Sequence, residues 1–488
     1  MNFISITFAA FFIVVVLLLR FAPSRILRQA LLLVASLGFY AAFKPVYLLI
    51  LLMPICIDFF CAIQIEQRAG ATARKFWLAA GVISNLALLG YFKYANFFLS
   101  NVAGLLHTAP RHLDIVLPLG ISFFTLKSLS YIIDVYRGDF RACRSLWRYA
   151  LYVSYFPDLI AGPIVRASTF LPQLDRSLRP SFPHAVVGCH MILLGLTKKL
   201  LIADQMAIFV DPVFAAPATY SALTVWSAVI AYSLQIYCDF SGYSDLAIGA
   251  SKIIGIDLPE NFNMPYLATS PIDFWRRWHI TLSEWLRDYL YFSLPPRRSK
   301  PWQRYRNVVV TFLLCGLWHG ASWTFVGWGA LHGVALAANH WWISGREAKQ
   351  LAPGSFIGAR FARWLAMYVF ICITWVLFRA PSSPIALQFL RKMAGLASGG
   401  VAFLYSPLIL VLPLVIAAHA IGIMAERNVG PLVRAQLRAW FQVRSNRLAG
   451  VYVLLRPGFL GAFLITSWTL VLLLFGATGA SPFVYFRF

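Results

Sequence analysis

Apolar runs long enough to cross a bilayer recur along the chain, separated by short gaps that hold most of its Lys and Arg residues. A spanning helix needs about 20 mostly apolar residues. The 488 residues therefore admit roughly ten crossings, or ten to twelve with short extra segments, and no large soluble domain between them. With 60% apolar and only 12% charged residues, the chain has lipid as its main solvent. It reads as a single all-α polytopic membrane domain over residues 1–488.

The first run, MNFISITFAAFFIVVVLLLR, has no basic residue ahead of it and no small-residue cleavage site after it. It reads as a retained span rather than a secretory signal. The seven cysteines are scattered without zinc-finger or disulfide-framework spacing and read as packing residues.

A net charge of +24 would suggest nucleic acid in a soluble protein. Here the basic residues sit in the gaps, at Arg20 to Arg28, 65–75, 137–148, 295–306 and Arg427 to Arg456. Positive-inside bias explains that placement and makes these loops cytoplasmic, with no call for nucleic acid.

Parity tests the assignment. Spans near 3–19, 29–43, 46–64, 76–98 and 113–136 put the Lys44-Pro45 turn, the loop SNVAGLLHTAPRHL and the N-terminus outside. The count fails at RYALYVSYFPDLIAGPIVRASTFLPQL, where Pro157, Asp158, Gly162 and Pro163 interrupt the run. A broken or re-entrant segment is expected there, covered by protein or water. The run from Val308 to Trp342 would be roughly 50 Å long as one helix, too long for a core of about 30 Å. It should fold back or break at Gly316, Gly320, Gly327 or Gly329. Further spans near 364–380 and 401–424 bracket an outer segment at 381–400, and a last span near 457–476 leaves the C-terminus outside. No internal repeat points to a transporter built from duplicated halves.

Three stretches place chemistry in this oily background. In PIDFWRRWHITLSEWLRDYLY (271–291), helical periodicity puts Trp275, Trp278, Leu282, Trp285, Leu286 and Tyr289 on one arc. Arg276, Arg277, Ser283, Glu284, Arg287 and Asp288 fill the other, with His279 on the border. The stretch is either an interfacial amphipathic helix or such a helix with His279 lining a polar cavity. YCDFSGYSDLAIGASK (237–252) sets Asp239 and Asp245 in an apolar region. They are either intramembrane carboxylates facing a partner or water, or part of a polar loop that breaks a helix.

CGLWHGASWTFVGWGALHG (315–333) contains His319 and His332. Both are either hydrogen-bonded packing histidines or, for His319 between Trp318 and Gly320, a neutral imidazole suited to take a proton near pH 7. Cys315 lies one turn before His319 and allows a Cys-His pair as an alternative. There is no zincin, nucleophile-elbow, Walker or Rossmann pattern, so metal hydrolysis, serine hydrolysis and nucleotide binding lack support.

The set YFKYANFF (91–98), LPLGISFFTLKSLSYIIDVYRG (117–138), YFPDLIAGPIVR (155–166), YCDFSGYSDLAIG (237–249), DFWRRWHITLSEWLRDYLY (273–291), CGLWHGASWTF (315–325) and PFVYFRF (482–488) resembles the membrane-bound O-acyltransferase (MBOAT) family. Its closest branch is the bacterial alginate O-acetyltransferase type. The resemblance is weaker over 1–90, carries the motifs over 91–380 and continues through 381–488. It implies a ring of tilted helices around a central tunnel, with re-entrant and interfacial helices, in the bacterial inner membrane.

The implied activity is transfer of an acyl group, most simply acetyl, from a thioester to a hydroxyl. The resemblance implies catalysis at His319, the W-H-G histidine, with His279 of W-R-R-W-H as the second functional position. His332 matches a less defining position. Asp239, Arg276, Glu284, Trp278, Trp318 and Cys315 are candidates for the wall of the substrate tunnel. The implied donor is cytoplasmic acetyl-CoA or another acyl thioester, with no bound cofactor or metal. The implied acceptor is an extracytoplasmic polysaccharide or a periplasmic acetyltransferase partner.

A bulky CoA cannot cross a packed bundle, so His319 should be reachable from both faces. Basic residues at 295–306 could attract CoA inside, and the broken segment at Pro157 to Pro163 could line a polar opening. D-alanyl transfer to teichoic acid from a carrier-protein thioester, and a polymer channel without catalysis, are the alternatives.

Overall fold

The computed structural model describes residues 3–176, 178, 181–295, 300–348, 357–428 and 466–472. Outside them lie Pro296 to Ser299 of one basic loop, the Arg-rich segment beyond Asn428, most of the expected last span and the terminal PFVYFRF. The described residues form helices and connecting turns without a strand, apart from one isolated bridge between Tyr220 and Val401.

Four helices among them are long and apolar enough to span a membrane: Tyr47–Gln67, Ala71–Leu105, His184–Ala215 and Gly358–Arg379. Ile6–Phe21 and Ser406–Ala420 are shorter apolar helices. The chain divides into two compact units, Met1–Ile192 with Tyr243–Pro259, and Leu193–Gly242 with Glu260–Phe488.

In the first unit, serines start the first two helices. Ser5 Oγ accepts the Phe8 N–H at 3.1 Å, and Ser24 Oγ accepts that of Leu27 at 3.1 Å. This is the N-cap role that orphan helix donors require. Helices Tyr47–Gln67 and Ala71–Leu89 are joined by Asn85, whose amide reaches both oxygens of the buried Asp58 at 2.9 Å.

The expected span at 113–136 is shorter than the apolar run suggested. Its helix, Ile121–Arg137, begins only after Gly120, which adopts the left-handed region at φ 72°. Pro118 and that glycine stop the helix from extending backward. Asn96 holds the non-helical stretch before it, accepting from Leu113 N at 2.8 Å and donating to its carbonyl at 3.0 Å.

The interruption at Pro157 is present and buried. Helix Leu146–Ser154 ends, irregular backbone follows, and every residue from Leu151 to Val165 is buried. Pro157 disfavours helix at the residue before it, so the polar groups set free must find new partners. Tyr152 O–H donates to Val165 O at 3.0 Å, Phe156 N–H to Ser36 Oγ at 3.2 Å, and Lys127 Nζ to Asp158 at 2.9 Å.

In the second unit the run from Val308 to Trp342 folds back, as its length demands. Helix Pro301–His319 ends where Gly320 turns extended, and helix Trp323–Ala348 returns. Ser322 starts it, with its carbonyl accepting Val326 N at 3.2 Å and its Oγ accepting Thr324 N at 3.3 Å.

Of the four glycines expected to break the run, only Gly320 does. Gly316 and Gly329 stay helical and let the two helices touch backbone to backbone. A Cβ on Gly316 would strike the Phe325 carbonyl, and one on Gly329 the Phe312 carbonyl. Gly327 faces looser packing, with only Leu377 Cδ1 at 3.7 Å from such a Cβ.

One expected local structure is corrected, and one open alternative is decided. The 271–291 stretch is not one continuous helix. It breaks into Pro271–Trp275, a turn at His279, Ile280–Trp285, and a π turn Leu286–Leu290. Its two arcs still sort by solvent: Trp275, Trp278, Leu282, Trp285, Leu286 and Tyr289 are buried, while Arg276, Glu284 and Arg287 are exposed. Conversely, 237–252 is no helix-breaking loop but the interior of the 33-residue helix Ala222–Ile254.

Gly316→Ala should destabilise the protein by about 1–3 kcal/mol, the cost of overpacking a close contact. Gly327→Ala should be neutral or gain up to about 1 kcal/mol from helix propensity. Thermal unfolding of the two variants in detergent checks this. Equal stability would contradict the backbone contact at Gly316.

Candidate active site around three buried histidines

The second unit collects His279, His319 and His332 in an aromatic enclosure. His319 is the last residue of helix Pro301–His319 and only 4% exposed. Its ring centroid lies 4.9 Å from that of Trp318, 5.0 Å from Trp328 and 5.2 Å from Phe378. Cys315, one turn earlier, has no exposed surface.

Trp328 also meets His332, at 4.7 Å. Trp318 meets His279 on its other side, at 6.3 Å. One tryptophan thus separates each neighbouring pair of histidines.

His332 is fully engaged. The Trp275 indole N–H donates to its Nδ1 at 3.2 Å, and Thr374 Oγ1 lies 3.2 Å from its Nε2. An Nδ1 that accepts leaves the ring proton on Nε2, which donates to Thr374. The Thr374 hydroxyl in turn donates to the Ile371 carbonyl at 2.9 Å. With both nitrogens bonded to protein, His332 ties helix Trp323–Ala348 to Trp275 and to helix Ile357–Arg379, as a packing histidine does.

His279 is buried completely and sits in the turn that splits the 271–291 stretch, with φ 42° and ψ 54°. That left-handed conformation is uncommon outside glycine. Its Nδ1 lies 3.0 Å from Asn261 Oδ1, and the Phe240 ring packs edge-on at 4.7 Å. Trp278 is buried beside it, 5.0 Å from both Phe262 and Trp375.

The structure separates the remaining candidates. Arg276 and Glu284 are exposed, and Asp245 is half-buried. Asp239 is buried and ion-paired: Lys199 Nζ lies 2.7 Å from its Oδ1 and 2.9 Å from Asp204 Oδ1. Three segments meet there: the π turn Thr197–Ala203, the start of helix Asp204–Ala215 and the middle of Ala222–Ile254. Charges this deep need partners, and the lysine supplies one for two carboxylates.

Sequence reading missed Asn261, Thr374 and Lys199. Lys199 carried a usable signal, a lysine pair inside the apolar run from His184 to Ala215. Asn261 carried none, because it lies in non-helical backbone and meets His279 only through the tertiary fold.

The MBOAT family model, membrane-bound O-acyltransferase, matches residues 141–379. A peptidoglycan O-acetyltransferase of Helicobacter pylori is 38% identical over 420 residues, covering 81% of this chain and 78% of that protein. A probable alginate O-acetylase AlgI of Pseudomonas aeruginosa is 40% identical over 400 residues, 80% of this chain and 75% of that one. A teichoic acid D-alanyltransferase of Bacillus subtilis is 28% identical over 296 residues, 58% of this chain and 74% of that one. The chain belongs to the membrane-bound O-acyltransferase family. It is a multi-pass membrane acyltransferase.

Lys199→Met should destabilise the protein by about 3–5 kcal/mol, because it removes a buried cation that pairs with two buried carboxylates. The double change Lys199→Met with Asp239→Asn should recover part of that loss. Unfolding midpoints of the single and double variants decide it; two independent losses that simply add would refute the coupling.

Proposed function

We propose that the protein moves an acetyl group from a cytoplasmic thioester, acetyl-CoA, to a hydroxyl of an extracytoplasmic polysaccharide or of a periplasmic acetyltransferase partner. The observation that carries the reading is His319, a buried imidazole at a helix end, walled by Trp318, Trp328 and Phe378. The relatives named for acetylating alginate and peptidoglycan support acetyl and a polymer acceptor.

In this reading a His319 nitrogen takes the proton of the acceptor hydroxyl while the hydroxyl oxygen attacks the thioester carbonyl carbon. The tetrahedral intermediate collapses with cleavage of the carbon–sulfur bond. The imidazolium returns its proton to the leaving sulfur, giving an O-acetyl ester and a free thiol. His279 is the second functional position, placed near the hydroxyl. Trp318 and Trp278 line the path, and Cys315, Asp239, Arg276, Glu284 and His332 take no chemical part.

The reading treats 1–488 as one MBOAT domain with ten to twelve spans ringed around a narrow tunnel, in the bacterial inner membrane. His319 is reached from the cytoplasmic side by the thioester and from the outer side by the hydroxyl.

His319→Ala should lower acetyl transfer by at least the share that a general base contributes, on the order of 10²- to 10⁴-fold, with protein level and detergent stability near normal. Cys315→Ala should keep most activity. Ester-linked acetyl on the surface polymers of a deletion strain carrying each variant reads both. Full acetylation by a folded His319→Ala protein would remove the base role and favour a channel. An acyl group trapped on Cys315 would replace direct transfer with a two-step scheme, and D-alanine esters in place of acetyl would move the protein to the teichoic acid reaction.

Access has its own test. In a background without native cysteines, cysteines placed around His319 should react with impermeant thiol reagents, some from one side of the membrane and some from the other. Labelling from a single side at every position would rule out transfer across the membrane.

A further inference from the structure

We infer that Asn261 is a positioning residue that locks His279 in one tautomer, with the proton on Nδ1 and the Nε2 lone pair presented to a hydroxyl group. The inference rests on the reading of His279 as the second functional position, and it specifies which atom of that ring faces the substrate.

The assignment starts from a donor whose identity is beyond choice. A backbone N–H can only donate, and that of Thr281 lies 3.3 Å from Asn261 Oδ1. The Thr281 hydroxyl approaches the same atom at 2.9 Å. Turning the Asn261 amide over would set its NH₂ group against the backbone N–H, donor against donor. The carbonyl oxygen of Asn261 therefore faces Thr281, and an amide oxygen offers only lone pairs.

His279 Nδ1 lies 3.0 Å from this oxygen. Two lone pairs at that distance would repel, so Nδ1 carries the hydrogen. A neutral imidazole has one N–H, which leaves Nε2 as an acceptor. Nε2 is buried and has no hydrogen-bond partner among the described residues. The fold treats His332 differently, engaging both of its nitrogens with Trp275 and Thr374.

The backbone enforces the pairing. Ile280 N–H donates to the Asn261 carbonyl at 2.9 Å, and Asn263 N–H to the Arg277 carbonyl at 2.8 Å. These bonds fasten 261–263 along 277–280 and require the sharp turn at His279, whose φ of 42° is left-handed. Backbone strain of this kind concentrates at functional sites and persists only where the surroundings enforce it. Tyr266, five residues on, anchors the 261 segment: Trp364 donates to its carbonyl at 2.8 Å and Trp375 to its hydroxyl at 3.3 Å. The arrangement does for His279 what a carboxylate does in a catalytic triad, fixing tautomer and direction. Asn261 does so without adding charge.

Nitrogen-15 spectra of histidine-labelled protein in lipid, assigned with His279→Gln, read the tautomer directly. The expected pair of shifts is that of a ring protonated at Nδ1, and Asn261→Leu should convert it to a mixture. Asn261→Asp, which keeps an acceptor oxygen, should hold the native tautomer.

Thiol release from acetyl-CoA by the purified protein, with a hydroxyl-bearing polysaccharide added as acceptor, reads function. Asn261→Leu should lower kcat on the order of 10²-fold, the lower range of an acid–base contribution, with KM for acetyl-CoA unchanged. Asn261→Asp should restore most of the rate. A native ring protonated at Nε2, or an Asn261→Leu protein with full kcat, overturns the proposal. Should Asn261→Leu fail to fold, the native spectrum alone decides the tautomer. A fully active His279→Gln protein beside an Nδ1-protonated native ring would locate the error in the functional reading of His279 rather than in the hydrogen bonds.

Discussion

A chain surrounded by lipid has no water to complete its broken hydrogen bonds, and the architecture follows from how each break is repaired. Where Pro157 interrupts a buried run, Tyr152, Ser36 and the Lys127–Asp158 pair supply what the helix no longer does. The ion pair is nearly inaccessible, with side chains 1% and 0% exposed. Losing either partner would leave an uncompensated buried charge, which is far more costly than never having had the pair. The same rule governs Lys199 with Asp204 and Asp239. Irregular backbone and buried charge thus occur together, each making the other tolerable.

The same constraint divides what was legible in the sequence from what was not. Apolar runs, basic gaps and the excess length of 308–342 follow from the bilayer as a solvent, and each leaves a linear trace. So does the sorting of the 271–291 stretch, because burial acts on each side chain whether or not the helix is continuous. The break at His279 leaves no such trace. It is enforced by residues 261–263, some 18 positions earlier, and by bonds between backbone groups that every residue possesses.

The 237–252 stretch stayed open between two readings for the opposite reason. Its polar residues fitted either a loop or buried carboxylates with a partner, and Lys199 on another segment decides for the second by pairing with Asp239, while Gly242 lies against the Gly195 carbonyl. Local composition is a poor guide when the partner is distant. Gly316 and Gly329 show a related limit: a glycine that breaks a helix and one that lets two helices touch look alike until the partner is placed.

The histidines show how such distant partners give one residue type different hydrogen-bonding roles. The residue type is the same, the burial is similar and aromatic rings surround all three, so neither hydropathy nor exposure distinguishes them. What differs is the use of the ring nitrogens. On His332 both are consumed by bonds that join helices, and the ring could take up a proton only by breaking the Trp275 bond. On His279 one nitrogen is bound to Asn261 and the other is buried without a hydrogen-bond partner among the described residues. A fold that can satisfy His332 at both ends has the means to satisfy a buried imidazole completely. A buried imidazole nitrogen without a protein hydrogen bond carries a desolvation cost, and at His279 that cost is borne at a turn the backbone has to be forced into.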